Sequence, residues 1–371
     1  MFMEDLLIVS NADLIWVKRY VENVVIPLGL SVKIVSTYDI KYSQFYKECG
    51  IDVETLIQGK YYQNIPYIRM KFANRKLRNI LLSTRANFVN FFFVSDNIID
   101  ILSDINLRSN IILTYLGSDL LRRCKKYHKK ELCAMTKSSN IIVMTEDMFD
   151  VVLKDSKMLT EKISVIDMGV SAINEIDNLR DNNVSCKLKI LGRDNINKKI
   201  VTIGYNAIPQ QQHIKVIESL MKLDVIDKQK IHLIVPLTYG RKDIQYIENV
   251  KVIISKSGFT YTILEQFMND KEIAELCLAT DYFINAQTTD AFSSSMIEHL
   301  YSNSVVINAS WLSYKPLIVM GIDCATFHDF NELPNLIFKL EKTDIDINIL
   351  KEYCSWDTCM NKWKKIYNNE W

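Results

Sequence analysis

The sequence predicts an α/β protein of two domains, each a parallel sheet layered with helices. Three observations predict it. The length of 371 residues exceeds what a single hydrophobic core usually serves. Short apolar and β-branched runs alternate with segments of helical periodicity, the pattern of βαβ units. A stretch rich in Asn, Asp and Lys, Asn174–Asn197, has little periodicity beyond Lys187–Leu191 and divides the chain near its middle.

In the first half, strands are expected at 6–10, 31–36, 88–94, 110–115, 140–144 and 162–166. A helix follows the first strand and loop Ser10-Asn11-Ala12 and runs to Ile26, where Pro27 and Gly29 stop it. In the second half, strands are expected at 200–204, 231–237, 250–255, 281–286 and 304–309. Asn269-Asp270-Lys271-Glu272 opens one of the intervening helices, because a capping Asn followed three residues later by Glu satisfies orphan backbone donors. The end, 347–371, carries Leu350, Tyr353, Trp356, Trp363 and Ile366 in an amphipathic pattern that suits one or two helices packed on the body. The expected division is 1–172 for an N-terminal acceptor-binding domain, 173–198 for a connection, 199–346 for a C-terminal nucleotide-sugar domain and 347–371 for a helical tail.

Composition narrows the function classes. A net charge of +1 argues against wrapping nucleic acid. The eight cysteines are scattered without a Cys-x-x-Cys pair or clustered histidines, so no metal site is expected. The first ten residues carry Glu4 and Asp5 ahead of a short apolar run, unlike an export signal. Apolar runs such as 88–94 fall well short of a membrane span. A cytoplasmic protein with reduced thiols is expected.

Chemistry concentrates where strands end. In Ile284-Asn285-Ala286-Gln287-Thr288-Thr289-Asp290-Ala291-Phe292-Ser293-Ser294-Ser295-Met296-Ile297-Glu298 a buried strand enters a polar loop. Ser293, Ser294 and Ser295 then open a helix whose free N–H groups suit a phosphate. Glu298, one turn in, is placed to accept both hydroxyls of a ribose, and Asp290 to meet the sugar beyond a diphosphate. Read from residues alone, Asp290 and Ser293 serve equally as helix caps and Glu298 as a solvated face. Seven residues separate the two acids, which precede an apolar strand, and this spacing resembles the acidic motif of family-4 glycosyltransferases with the GT-B fold, two facing Rossmann-like domains with a cleft between them. That resemblance implies Glu298 on the donor ribose, Asp290 as the acid near the transferred sugar, and no metal. Here Asp290 replaces the usual Glu and Asn303 the usual Gly, and the stereochemical outcome is left open.

Two further strand ends carry Gly204-Tyr205-Asn206 through Gln212-His213 and Val235-Pro236-Leu237-Thr238-Tyr239-Gly240-Arg241-Lys242. They resemble the Gly-Asn…Gln-His and Val-Pro-x-x-Tyr loops of the enterobacterial-common-antigen 4-acetamidofucose transferases. The resemblance is strongest over residues 200–315 and implies donor contacts from Gly204, Asn206, Gln212, His213 and Tyr239. The Arg and Lys with which family-4 enzymes clamp the diphosphate are absent from the first loop, so Arg241 or Lys242 is expected to supply that charge.

In the first half, Leu116-Gly117-Ser118-Asp119 resembles the Trp-Gly-Ser/Ala-Asp turn of the same transferases. Asp119 is then a candidate to orient or deprotonate an acceptor hydroxyl, and Arg122 to hold a phosphate, with Asn11, Gly117 and Ser118 on the acceptor side. Asp119 is equally a helix cap when read alone. Thr145-Glu146 and Met168-Gly169 occupy later strand ends. From Arg69 to Arg85 six basic residues and no acid interleave with apolar ones, a stretch that fits either an anionic membrane surface or a solvated helix face. The only Asp-x-Asp, Asp344-Ile345-Asp346, reads as a surface turn. The expected activity is transfer of a sugar from a nucleotide-diphosphate sugar to a glycan hydroxyl, on a lipid-linked acceptor in surface-polysaccharide synthesis. The alternatives are a sugar-nucleotide epimerase of the same fold and a non-catalytic binding subunit.

Overall fold

The computed structural model describes residues 4–37, 42–57, 66–342 and 345–368; Asp344 and the last three residues of the tail lie outside this set. The chain forms two compact units, Met1–Gly169 with Trp356–Trp371, and Val170–Ser355.

The first unit is built on β1 (Leu6–Ser10), β2 (Val32–Ser36), β3 (Asp52–Thr55), β4 (Phe88–Phe92), β5 (Asn110–Thr114), β6 (Asn140–Val143) and β7 (Ile163–Val165). They pair in the order β3-β2-β1-β4-β5-β6-β7, all parallel. Every residue of β1 and β4 is buried, as expected where helices cover both faces of a parallel sheet. The edge strand β3 is absent from the sequence expectation because it reads Asp-Val-Glu-Thr rather than as an apolar run. Its acids are neutralised by Lys33 at 3.1–3.3 Å and by Lys76 at 3.1 Å. The last helix, Trp356–Asn368, closes this core. Trp363 is fully buried against Tyr20, Tyr367 stands edge-on to Phe88, and the Tyr20 and Tyr367 hydroxyls share a hydrogen bond. Burying a side chain of that size contributes roughly 5 kcal/mol. A Cβ at Gly169 would run into the Trp356 ring, and Thr145 caps the helix Glu146–Asp155. Both strand ends are therefore used in packing and capping.

The second unit holds β8 (Lys199–Ile203), β9 (Ile231–Pro236), β10 (Thr260–Leu264), β11 (Tyr282–Asn285), β12 (Val305–Ala309) and β13 (Ala325–Phe327). Their order is β10-β9-β8-β11-β12-β13, again all parallel. One expected strand is corrected. Residues 250–255 lie in the helix Ile244–Ser255, which buries Ile247, Val250 and Ile254. That i, i+3, i+7 spacing outweighs the β-branched run. The strand there is instead Thr260–Leu264, a half-exposed edge. The stretch read as a connection also differs. It forms the helices Ala172–Leu179 and Asn183–Leu191, and Ile173, Ile176 and Cys186 join the core of the second unit. Its lysines resemble a linker only in sequence; Lys187 pairs with Asp281 at 3.0 Å and Lys189 with Glu275 at 2.5 Å. The tail likewise divides, its first helix, Ile347–Cys354, burying Leu350 and Cys354 in the second unit. The capping box at Asn269 and Glu272 forms as expected.

Each sheet reverses its winding once, between β1 and β4 in the first and between β8 and β11 in the second. In open parallel sheets the loops beyond the strand C-termini at such a reversal form the crevice that takes a ligand.

Candidate functional site

The loops after β8 and β11 meet at the reversal of the second sheet. Gly204 ends β8 with φ +62°, and a Cβ there would stand 2.7 Å from Gln211 Oε1 and 2.9 Å from His213 Nε2. Only glycine meets both demands. Gln211 and His213 are completely buried. Gln211 Nε2 donates to Gln287 Oε1 at 2.8 Å, and Gln212, itself left-handed at φ +56°, donates from Nε2 to the Ala286 carbonyl at 2.7 Å. Two strand-end loops distant in sequence are thus joined by neutral amides.

His213 is tied to Tyr246 through both its backbone and its ring. The Tyr246 hydroxyl oxygen accepts the His213 backbone N–H at 3.1 Å and lies 3.0 Å from Nδ1. His213 Nε2 is buried and has no hydrogen-bond partner among the described residues. Burial pushes this imidazole down to about 3, so it stays neutral.

Asp290 is the centre of the network. Oδ1 accepts from Tyr205 Oη at 3.3 Å and Gln287 Nε2 at 3.1 Å; Oδ2 accepts from the Ser293 amide at 3.2 Å and Tyr314 Oη at 2.8 Å. Tyr314 Oη in turn accepts from Asn285 Nδ2 at 2.9 Å, which also donates to Asn308 Oδ1 at 3.0 Å. Burial, reinforced by the Asp290 charge, holds both the Tyr205 and Tyr314 hydroxyls well above the usual tyrosine range. They remain donors at any working pH. Four donors fill the lone pairs of the Asp290 carboxylate, so its structural use is to fix the loop 287–293 against the helix Ser294–Tyr301. Phe292 turns through a left-handed conformation, φ +60°, inside that loop.

The helix start stays open. The Met296 and Ile297 amides bond to the Ser293 carbonyl and the Ser293 amide to Asp290. Among the described residues no acceptor is present for the amides of Ser294 and Ser295. Glu298 is buried within the helix. Tyr239, from the loop after β9, reaches the same place. Tyr239 is itself 46% exposed, but loss of solvent around its hydroxyl raises that group to about 12, a hydrogen bond from Asn206 opposes the rise, and the Glu298 and Asp290 charges add to it. The Ala207 amide bonds to the Tyr239 carbonyl at 2.8 Å.

The structure therefore gathers Gly204, Asn206, Gln212, His213, Tyr239, Asp290, Ser293, Ser294, Ser295 and Glu298 around one strand-end crevice. Arg241 is turned to another use. It donates to the Leu237 and Glu265 carbonyls and pairs with Glu265 Oε1 at 2.6 Å, which fastens the loop after β9 to the end of β10. That correction follows from the missing strand: with β10 unread, Glu265 had no place beside Arg241. Lys242 is exposed on the same turn. Tyr205, Gln211, Gln287, Asn285 and Tyr314 were not singled out. The first four lie in or beside the quoted motifs, whereas Tyr314 lies on the loop after β12, where no sequence signal marks it.

In the first unit Asp119 is buried and bound by backbone alone. Oδ2 accepts the Val94 amide and Oδ1 the Leu116 and Gly117 amides, each at 2.9 Å. Burial raises its carboxyl to about 6 in spite of these bonds. Gly117 takes φ +129°, a conformation open to glycine. Arg122 and Ser118 lie exposed on the same turn, and Asn11 stands half-buried beyond β1 with Oδ1 accepting the Asp13 amide at 3.2 Å. The neighbouring Arg123 is nearly completely buried and binds Asp96 at 2.6 Å, Glu131 at 2.7 Å and the Val94 carbonyl.

No family model and no curated protein matches the sequence. Solved structures do match it along its whole length. A glycosyltransferase from Rickettsia africae superposes with a TM-score of 0.73 at 15% identity over 99% of both chains. HepE from Anabaena, in complex with UDP and glucose, gives 0.70 at 12% identity over 99% of this chain and 100% of that one. Sucrose-phosphate synthase from Thermosynechococcus elongatus gives 0.72 at 11% identity over 99% of each. With its two parallel sheets and end-to-end likeness to these structures, the chain has the GT-B fold of glycosyltransferases.

Proposed function

We propose that the protein is a glycosyltransferase that moves a sugar from a nucleoside-diphosphate sugar to a hydroxyl of a glycan acceptor. The observation that carries this reading is the crevice between β8 and β11, where open amides at a helix start adjoin a buried glutamate. The Ser294 and Ser295 amides and the positive end of the helix bind the diphosphate and stabilise the charge that grows on it as the glycosidic bond breaks. Glu298 takes the ribose hydroxyls. Asp290 holds the loop that aims these groups, and Lys242 is the cation left on the turn after β9. HepE in complex with UDP makes uridine the first base to try. Hydrolysis or epimerisation of the donor without acceptor is the outcome that separates an epimerase from a transferase.

The acceptor we propose is lipid-linked and belongs to a surface polysaccharide. Among the described residues no helix is long and apolar enough to cross a membrane, so the enzyme would reach such a substrate from the surface. The helix Pro66–Ser83 supports this. Phe72 and Leu82 are 62% and 57% exposed, on a face shared with Lys71, Arg75 and Arg78. Arg78 is paired only loosely, at 3.8 Å from Asp104. Each cation near an anionic leaflet adds about 1 kcal/mol. Sedimentation with phosphatidylglycerol vesicles tests it. Binding that falls at least tenfold in Arg75→Glu/Arg78→Glu supports membrane docking, and no binding by the intact protein refutes it. The transferase reading itself is tested by incubating the protein with UDP-sugars and a polyprenyl-linked glycan. UDP release that depends on acceptor supports it; no turnover of any nucleotide sugar contradicts it.

A further inference from the structure

Among the described residues four that are not glycine take a left-handed backbone: Phe93, Gln212, Phe292 and Asn303. Asparagine tolerates this state, and Asn303 simply ends a helix. The other three are costly, on the order of 1 kcal/mol or more each, and persist only where surrounding structure enforces them. Gln212 and Phe292 lie on the two loops that form the crevice of the second sheet. Phe93 lies at the corresponding place in the first, directly beyond β4 at the reversal between β1 and β4.

The enforcement at Phe93 is unusually complete. Its own amide bonds to the Thr114 carbonyl at 3.0 Å. The next residue, Val94, is held at both backbone groups, its N–H by Asp119 and its carbonyl by Arg123. Ser10 Oγ fastens the Phe92 carbonyl to the end of β1 at 2.5 Å. Two nearly fully buried charged side chains and two neighbouring strands thus keep one half-buried phenylalanine in a conformation it disfavours. A strained residue held from several sides at a strand end is a candidate for a functional side chain.

We propose that Phe93 contacts the acceptor sugar, and that Asp119 and Arg123 are positioning residues that hold it there. This rests on the glycan-acceptor reading above. An aromatic ring on the loop beyond β4 offers the apolar C–H face of a pyranose a matching surface. Asp119 has both oxygens occupied by three backbone amides, and its part is to set the loop.

The test is binding of methyl and octyl glycosides of glucose, galactose, N-acetylglucosamine and rhamnose, followed by saturation-transfer NMR on the full chain. Phe93→Gly removes the ring yet suits the backbone at φ +69°. Its melting temperature is expected to equal or exceed that of the parent, while affinity for the preferred glycoside falls at least tenfold. Phe93→Tyr, which keeps the ring, is expected to retain that affinity within about threefold. Equal binding by Phe93→Gly, or no glycoside bound by the parent protein, overturns the proposal. UDP binding measured on the same samples reads the donor site separately. Its loss in the parent protein would count against the donor reading, and its constancy across the Phe93 variants shows that the effect is confined to the first unit.

Discussion

The two sheets secure their strand-end loops by opposite means. In the second unit the loops after β8 and β11 are joined by neutral groups, Gln211, Gln212, Gln287, Tyr205, Tyr314 and Asn285, arranged around a single carboxylate, Asp290. In the first unit the loops after β4 and β5 are held by charge, through Asp119, Arg123, Asp96 and Glu131. The difference fits what each loop is proposed to face. A crevice proposed to receive a diphosphate gains from an open helix start and from a carboxylate, Asp290, whose oxygens are already taken up by four donors. A crevice proposed for neutral hydroxyls tolerates an ionic frame as long as that frame is saturated internally.

Removing one member of the ionic frame should have the largest effect. Arg123→Ala leaves Glu131 buried without its partner, and unpaired buried charge costs about 3–5 kcal/mol. Urea unfolding of the first unit, followed by Trp363 fluorescence, should register a loss of that size. A loss under about 1 kcal/mol would mean that the frame is an incidental surface pair.

The two units should also respond oppositely to pH. In the second, burial lowers His213 to about 3, His232 to about 4 and His299 to about 3. Groups depressed in the fold add stability above their unfolded value near 6.5, and it is lost as pH falls. Acidification from pH 8 to 5.5 should therefore cost about 1 kcal/mol per histidine. In the first, burial raises Asp119 to about 6 and Asp167 to about 7. Groups raised in the fold add stability below their unfolded value, and it is lost as pH rises through 6 to 7. Hydrogen exchange resolved by segment should show the second unit opening more readily at pH 5.5 and the first at pH 8. Parallel responses would remove the contrast.

Gly204→Ala sharpens the picture of the neutral knot. The new methyl meets Gln211 Oε1 and His213 Nε2 at a left-handed residue, which should cost about 2 kcal/mol and weaken nucleotide binding at least tenfold. Tyr314→Phe is milder. It removes one of four donors to Asp290 and one of the acceptors of Asn285 Nδ2, for about 1–2 kcal/mol. Calorimetric unfolding measures both, and a neutral Tyr314→Phe would mean that Asp290 is held well enough by the other three.

Much of this was legible in the sequence. Ten strands announced themselves as apolar runs between turns, and the crevice residues between 204 and 213 and between 290 and 298 sat at strand ends as their spacing implied. What escaped was set by tertiary context. Asp52–Thr55 and Thr260–Leu264 are sheet edges with mixed polarity, Val250 to Ser255 carries β-branched residues on a helical face, and Ala325–Phe327 is only three residues long. Arg241 offered a cation at the right loop, but the carboxylate that claims it lies on one of the unread strands. Asp119 read as a reactive acid because its residue type and place allow that; only its three backbone partners assign it to holding a turn.

The central claim is that the crevice between β8 and β11 binds a nucleoside diphosphate through the start of the helix Ser294–Tyr301 and Glu298. A thermal-shift titration with UDP, GDP, ADP and dTDP, run on the parent chain and on Glu298→Ala, tests it directly, since a ligand held only by the folded state must raise its stability. The account predicts that one nucleotide raises the melting temperature by several degrees, about 2.7 kcal/mol at a hundredfold excess over its dissociation constant, and that Glu298→Ala abolishes the shift while remaining folded. No shift with any nucleotide, or an equal shift in Glu298→Ala, would contradict it.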